Sequence, residues 1–373
     1  MKKSDAKIHV MKKFGILLFL GISLSSSAQN EIDALRYSQT TFGGTAKFMA
    51  MAGSWGALGG EISTLSVNPG GIGIYRKNEI TVTPTVFSQN VTSTYNGSTN
   101  TDNKLNLNLE NIGFILSNNW GNNDKGHGWM TFNIGFAYNK INNFNSRVII
   151  DGTNNTSSLL NSFATNSTGS SPSQLELFST QLAFATNLID TIPGTLDYVS
   201  AIPAGSVLQQ KKTIETSGSM GETVISAGGN YLNKLFLGIT VGFSTINYSE
   251  QSTYREITAL DSLSFAFHNS LTTRGNGINF KFGVIYQPAD WLRLGGAIHS
   301  STFYTLSDRW NSDIAANFNN LNHGGVTFTA NSPEGLFDYR LTTPLKIIGS
   351  VGFRLLKMGL IKELPKLRFL EIL

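Results

Sequence analysis

Histidine and cysteine, the side chains that most often bind metals or act as nucleophiles near neutral pH, are sparse in this sequence. The chain has 373 residues and no cysteine, so neither a disulfide nor a thiolate metal site can form. Its histidines show no paired ligand spacing on one face; they are His9, His127, His268, His299 and His323. No Ser-His-Asp order, carboxylate pair or P-loop lysine is present. We therefore expect a protein that is not an enzyme and needs no metal or cofactor.

Charge excludes a second function class. The chain has 28 basic and 24 acidic residues, but five of the lysines and only one acid lie within residues 1–28. The remainder is neutral, with 23 of each sign. A basic nucleic-acid-binding face is therefore not indicated.

Residues 1–28 have the pattern of a secretory signal peptide. Lysines at 12 and 13 precede an apolar core from Phe14 to Leu24, and Ser26-Ser27-Ala28 supplies small residues before a cleavage at Gln29. An uncleaved anchor is the alternative, although a helix needs about 20 apolar residues to span hydrocarbon. No other stretch of 18 apolar residues exists, which excludes a helical inner-membrane protein.

Alternating apolar and polar residues predict long β-strands. Between Trp129 and Lys140, large apolar side chains occupy every second position, with Thr, Asn, Gly and Ala between them. The same pattern predicts eight strands at about residues 79–95, 103–118, 128–150, 213–231, 235–248, 273–287, 291–305 and 337–353. A soluble sandwich with one wet face is the alternative. The long apolar faces, the small and polar opposite faces and the aromatics near strand ends favour an antiparallel transmembrane β-barrel.

The connections between these strands alternate in length. Three predicted turns are short: Asn119–His127, Leu232–Lys234 and Pro288–Asp290. The intervening connections are longer: Asn96–Asp102, Asp151–Lys212, Ser249–Thr272 and Leu306–Leu336. Short turns on one rim and long loops on the other are typical of outer-membrane barrels.

A glycine-rich apolar stretch precedes the first strand and fits neither period. It runs from Phe42 to Tyr75, and we interpret residues 29–78 as a plug folded inside the barrel of residues 79–353. The residues expected to touch a ligand path are Phe48, Met49, Met51, Trp55 and Leu58. Asn68, Pro69 and Gly70 form a turn expected to fix the exit of the plug into the first strand.

The longest connection contains a predicted helix from Ser173 to Asp190, with a capping box of Ser173 and Glu176. Its apolar face is interpreted either as a packed lid or as an external capture site for a hydrophobic ligand, formed by Leu175, Phe178, Leu182 and Phe184. Residues 354–373 depart from the strand pattern, carry a net charge of +3 and end at Leu373 instead of an aromatic strand. We interpret them as a truncated or frameshifted, non-native end; an amphipathic end helix is the alternative.

The combination of signal peptide, glycine-rich segment, Asn68-Pro69-Gly70 and the strands around Tyr231–Phe243 and Gly275–Pro288 resembles the FadL/TodX family of outer-membrane transporters for hydrophobic compounds. Some relatives are labelled hemin receptors. The resemblance implies a 14-stranded barrel with an N-terminal hatch, of which about 8 strands are found here. It also implies passive uptake of long-chain fatty acids or similar molecules, leaving through a lateral opening.

On this resemblance the partners expected are a hydrophobic small molecule, outer-membrane lipid and the barrel-assembly machinery, for a monomer in the cell outer membrane. Two alternatives stay open. One is haem binding or uptake, with His299 as the contact. The other is a structural or adhesive outer-membrane barrel without transport, which the Asn/Ser/Thr-rich loops fit.

Overall fold

The computed structural model describes residues 31–41, 43–119, 128–259, 262–320, 324–354 and 369–371. The predicted signal peptide and most of the predicted non-native end lie outside these residues. The chain divides into two units, Met1–Gln39 and Thr40–Leu373. Helix α1 (Glu31–Ser38) belongs to the first unit, and its Arg36 and Asp33 form an ion pair of 2.5 Å. Every other element belongs to the second unit.

The second unit is mainly antiparallel β-structure, which confirms the predicted all-β class. Among the described residues, thirteen strands form one sheet, curled into a half-barrel, and β5 pairs only with β6. The strands are β1 (Glu79–Tyr95), β2 (Ser98–Asn119), β3 (Trp129–Asn143), β4 (Ser146–Asn154), β5 (Ile189–Thr191), β6 (Tyr198–Ser200), β7 (Leu208–Tyr231), β8 (Leu235–Thr258), β9 (Leu263–Ala289), β10 (Leu292–His299), β11 (Phe303–Asn320), β12 (Gly324–Asn331), β13 (Gly335–Thr342), β14 (Lys346–Arg354) and β15 (Phe369–Glu371).

The strand order matches the sequence order almost throughout. The main path is β1-β2-β3-β7-β8-β9-β10-β14-β15, with β4 beside β7 and with β11 beside β9, β12 and β13. Strand β9 pairs with β10 over its second half and with β11 over its first half, so that β10 and β11 continue one row of the wall. Within the described residues, β1 pairs only with β2 and β15 only with β14.

Helices are short and lie in two segments. Before β1 come α2 (Ala46–Ala50) and two 3₁₀-helices, η1 (Ile62–Ser66) and η2 (Pro69–Ile74). Between β4 and β7 come α3 (Leu159–Ser167), η3 (Pro172–Gln174) and α4 (Thr180–Ala185). No helix in the described part of the chain is long and apolar enough to cross a membrane.

Most of the predicted long loops are wrong, because pairing continues past the apolar part of each strand. Asn96 and Gly97, both with positive φ, form a two-residue turn, and β2 begins at Ser98. Strands β8 and β9 pair from Leu235 to Ile257, through most of the predicted loop 249–272. Strands β11 and β12 likewise occupy most of 306–336. Paired threonines, such as Thr92 and Thr101 at 3.2 Å, stabilise these polar extensions.

Other predicted boundaries held or shifted by a few residues. The turns predicted at 232–234 and 288–290 are tight, whereas 120–127 lies outside the described residues. The strand predicted at 128–150 is interrupted between β3 and β4, where the Phe144 amide donates to Gly218 O at 3.1 Å. Residues 155–207 do form a long excursion from the sheet.

The two faces of the sheet differ in exposure in the way the alternation predicts. On β3, Phe132, Ile134 and Phe136 are exposed, whereas the small and polar residues between them are buried. One row of apolar residues, each directly paired with the next, crosses seven neighbouring strands on the exposed side. The row consists of Leu116, Ile134, Ala227, Ile239, Phe282, Ile298 and Ile347. All of these side chains are exposed except that of Ala227, which is partly buried. We call this side the outer face and the opposite side the inner face.

Candidate interior apolar site

Residues 43–75 fold into short capped turns, and we call them the inner segment. Thr45 caps α2 by accepting from the Phe48 amide at 3.2 Å, and Asn68 caps η2 by accepting from the Gly70 amide at 3.0 Å. Pro69 follows as the first residue of η2, where its missing N–H costs nothing. Ala52 and four glycines between positions 44 and 60 have positive φ, which breaks the chain into turns.

A row of glycines brings the inner segment into contact with the inner face. Gly228, Gly238 and Gly283 are direct neighbours on β7, β8 and β9. A Cβ on Gly238 would lie 2.0 Å from Pro69 O, and one on Gly283 would lie 2.0 Å from the Asn68 side-chain oxygen. Only residues without a side chain fit here, because the backbone of η2 occupies the place that a Cβ would take.

Three successive carbonyls at the end of η1 accept hydrogen bonds from directly paired residues of three neighbouring strands. The donors are Thr240 to Leu65 O at 3.1 Å, Lys281 to Ser66 O at 3.0 Å and His299 to Val67 O at 2.7 Å. A helix end leaves such carbonyls without intrahelical partners, and cations are favoured at its negative pole. The inner segment is thus fixed in register with β8, β9 and β10.

Lys281 also forms a buried ion pair. Its ammonium lies 2.5 Å from Glu222, and the two side chains are 5% and 4% exposed. Asn279 donates to the second oxygen of Glu222 at 2.9 Å. Buried charges persist only when they are paired and hydrogen-bonded, so this group holds β7 and β9 to the inner segment at a defined spacing.

The predicted path residues divide into a buried group and one exposed residue. Phe48, Trp55 and Leu58 form a buried cluster, and Met51 packs against it. Lys47 lies over the Trp55 ring, 4.7 Å from its centroid. Asn68, Pro69 and Gly70 are buried against β8 and β9, and Asn68 donates to Gly56 O at 2.6 Å and to Val284 O at 3.1 Å. Met49 is 47% exposed.

Met49 lines a cavity of about 530 Å³ between the inner segment and the first strands. Ala46 and Phe87 supply further apolar walls, and Glu110 is the only ionisable residue of the lining. The other lining residues are Thr41, Gly44, Thr85, Asn142 and Asn143. Its volume lies within the roughly 300–1,000 Å³ usual for small-molecule sites. No basic side chain lines it to pair with an anion.

Glu61 links two parts of the inner segment by hydrogen bonds. Its carboxylate accepts from Thr45 Oγ1 at 2.5 Å and from the Ser63 amide at 2.8 Å, and it is 3% exposed. Burial raises the pKa of the Glu61 carboxyl above its usual range, against the opposing effect of these hydrogen bonds. No arginine, lysine or histidine forms an ion pair with it in the described part of the chain.

The predicted haem contact, His299, already forms a hydrogen bond within the protein. His299 is 8% exposed, and its Nε2–H donates to Val67 O, so that a haem iron could reach this nitrogen only if the inner segment moved away. His268 forms a 3.0 Å hydrogen bond with Thr253, and His127 and His323 lie outside the described residues. Where the structure describes side chains, no three His, Asp or Glu side chains come close enough to hold a metal ion.

The predicted capture residues lie in the excursion between β4 and β7, but the helix predicted from Ser173 to Asp190 is wrong. Only Thr180–Ala185 is helical, because Pro172 starts a 3₁₀ turn and Leu175 adopts extended backbone. Leu175 and Leu182 are buried with α3 and the ends of β8, β9 and β11. The ring centroids of Phe178 and Trp310 are 5.7 Å apart, and those of Phe184 and Tyr198 are 6.1 Å apart. The four side chains therefore pack against other residues of the excursion and against the strand ends.

Several residues that hold the inner segment are missing from the sequence prediction. Arg293 donates to Leu58 O at 2.9 Å, and Asn133 donates to Ile72 O at 2.6 Å and Tyr75 O at 3.1 Å. Polar residues at inward positions of apolar strands were the available signal. Their partners are backbone carbonyls of a distant segment, which no spacing in the sequence reveals.

Comparison with protein-family models, curated proteins and solved structures finds no match to this chain.

Proposed function

We propose that this chain forms the wall and plug of an outer-membrane β-barrel that lets hydrophobic small molecules pass without an energy source. One observation carries the proposal: the exposed apolar row that crosses seven paired strands. Soluble monomers rarely expose contiguous apolar patches above a few hundred Å². A lipid bilayer is the solvent that makes such a face favourable.

Aromatic side chains at one end of this face support the same orientation. Trp129 and Tyr231 meet edge to face at 5.6 Å, and Trp291 stacks with Phe353 at 6.2 Å. Both pairs lie at the rim formed by the tight turns. Tryptophan and tyrosine concentrate at membrane–water interfaces, so we assign this rim to the periplasmic interface.

The inner segment would act as the plug, and the cavity beside Met49 as an apolar station on the path. An alkyl chain gains about 0.8 kcal/mol for each CH₂ removed from water, which a water-filled pore does not offer. Because η1 and η2 pack closely on the inner face, a ligand would not pass along the glycine row. The space for a ligand would be the apolar cavity. The resemblance to the FadL/TodX family supports this assignment.

Binding of a radiolabelled long-chain fatty acid to the purified full chain in detergent tests the proposal. We expect saturable binding, at least about tenfold weaker in Met49→Glu because an ionised group would enter the apolar cavity. Leu177→Glu is the matched control, since Leu177 is 51% exposed on the outer excursion. Absence of saturable binding, or equal loss in both variants, would refute the assignment of the cavity.

A further inference from the structure

A second cavity lies on the outer face, beyond the exposed apolar residues of the strands, which we call the apolar band. It has a volume of about 510 Å³ and lies over the paired strands β9 and β11, with Glu334 also in its lining. Its lining includes Arg274, Arg309 and the hydroxyls of Thr272 and Ser307. None of these residues belongs to the inner segment or to the apolar cavity.

Strand register places these groups side by side on one surface. Arg274 pairs directly with Ser307, and Thr272 pairs with Arg309. The alternation that exposes Ile278 and Phe303 on the outer face brings all four side chains to that same face. Two guanidinium groups and two hydroxyls thus converge from neighbouring strands, which is a donor set suited to phosphate oxygens.

The charges around the cavity leave Arg274 available. No acidic side chain forms an ion pair with Arg274 among the described residues. Arg309 has only a 3.9 Å contact with Glu334, and both side chains are more than half exposed. Such exposed ion pairs contribute little free energy, so an anion with better hydrogen-bond geometry can displace Glu334 from Arg309. Asp338 pairs directly with Ser307, in the same row as Arg274, and Arg340 lies two residues further along β13, so that their opposite charges offset each other beside the cavity.

The height of the cavity matches a lipid headgroup if the apolar band lies in the bilayer, a condition that rests on the proposed function. The last paired apolar residues of the band on these strands are Ile278 and Phe303. Arg274 lies four residues beyond Ile278, roughly 13 Å along the strand, or about 9–11 Å in height at the usual tilt of 35–45°. Headgroup regions extend about 5–8 Å beyond the hydrocarbon on each side, within reach of an arginine side chain.

We propose that Arg274 and Arg309 form a binding site for the phosphate of a phosphorylated lipid of the surrounding leaflet. The acyl chains of that lipid would lie along Ile278 and Phe303. Thr272 and Ser307 would donate hydrogen bonds to the phosphate oxygens. The site is separate from the transport path and would fix the barrel to its lipid shell.

The test uses the purified full chain in neutral detergent, titrated with a phosphorylated glycolipid, with the same glycolipid after dephosphorylation, and with inorganic phosphate. Native mass spectrometry measures the bound fraction. We expect the phosphorylated lipid to bind about tenfold or more weakly in Arg274→Gln/Arg309→Gln, a change of ~1.4 kcal/mol. Glu334→Gln should bind it more tightly, because a competing carboxylate is removed.

Arg255→Gln is the matched control, since Arg255 is an exposed arginine on β8 outside the cavity. Equal weakening in this control, or equal binding of the dephosphorylated lipid, would overturn the site. Inorganic phosphate binding as tightly as the lipid would overturn the lipid assignment and leave a site for a free anion. Loss of fatty-acid binding in Met49→Glu with lipid binding unchanged would separate this site from the proposed transport function.

Discussion

Replacing Gly238 by alanine should displace the inner segment from the sheet. The new Cβ would lie 2.0 Å from Pro69 O and 2.4 Å from Pro69 C, both backbone atoms that cannot rotate away. Pro69 O would have to retreat by about 1.4 Å to reach an ordinary contact. Such a shift would break the 3.1 Å hydrogen bond from Asn68 to Val284 O.

The expected cost follows from these two effects. Overpacking a filled interior costs about 1–3 kcal/mol, and a lost hydrogen bond adds about 1 kcal/mol. We therefore expect Gly238→Ala to lower the free energy of unfolding by about 2–4 kcal/mol. Gly349→Ala on β14 should be close to neutral, because a Cβ there meets no atom within 4 Å.

Two assays report on this displacement. Thermal unfolding in detergent micelles measures the loss of stability, and trypsin cleavage at Lys47 measures exposure of the inner segment. Gly238→Ala should unfold at a lower temperature and be cleaved faster than Gly349→Ala. If the two variants behave alike in both assays, η2 does not lie on the glycine row, and the assignment of the inner segment as a plug loses its basis.

Four further predictions concern single charges. Lys281→Met should destabilise the fold by about 3–5 kcal/mol, because it leaves the Glu222 carboxylate buried and unpaired; chemical unfolding measures this. Because the folded pKa of Glu61 is raised, its protonation stabilises the fold fully at pH values below the unfolded pKa, and this stabilisation is lost as pH rises through the folded pKa. Melting temperatures measured over a pH series should therefore decrease across this range in the unsubstituted protein, and Glu61→Gln should abolish the decrease. Glu110→Gln should increase the affinity of the apolar cavity for a fatty-acid anion several-fold in the radioligand assay, because it removes a carboxylate from the lining and leaves the charge of the nearby Lys140 unopposed by Glu110. Ile239→Lys on the outer face should weaken insertion into vesicles by about 2–4 kcal/mol, measured by flotation.

Three of these variants have a matched control. Lys211→Met removes a half-exposed lysine of β7, whose ammonium lies 3.9 Å from a carboxylate oxygen of Asp151. Gln251→Lys adds the same charge to β8 beyond the apolar band. Glu215→Gln removes an acid that pairs with Lys104 and does not line the cavity. A control that matches its variant would contradict the reasoning for that site.

The sequence predicted the strands better than their ends. Alternation identified the exposed Phe132, Ile134 and Phe136, because apolar residues at every second position lie on one face of a strand. Polar strand ends such as Thr92–Tyr95 carry no such constraint, so pairing beyond the apolar band was mistaken for loops. The helix predicted over 173–190 failed because burial of Leu175 and Leu182 in a tertiary core overrode local periodicity.

The candidate site was predictable in outline only. Glycine content marked residues 42–75 as unusual, and Asn68-Pro69-Gly70 marked the turn that starts η2. Which strands receive this segment depends on Gly228, Gly238 and Gly283 meeting in register, a three-dimensional coincidence that one sequence does not display. The same holds for Arg274 and Arg309, which are 35 residues apart in the sequence and become neighbours through the pairing of β9 with β11.

The contacts that hold the inner segment also impose an order on folding. Leu65, Ser66 and Val67 meet partners 175, 215 and 232 residues later in the chain. The segment leaves the ribosome first, yet its binding surface does not exist until β10 has been made and paired. Contacts this distant form slowly. During that interval the glycine-rich apolar stretch lacks its packing partners, so we expect the N-terminal part to need protection from aggregation until β10 has paired.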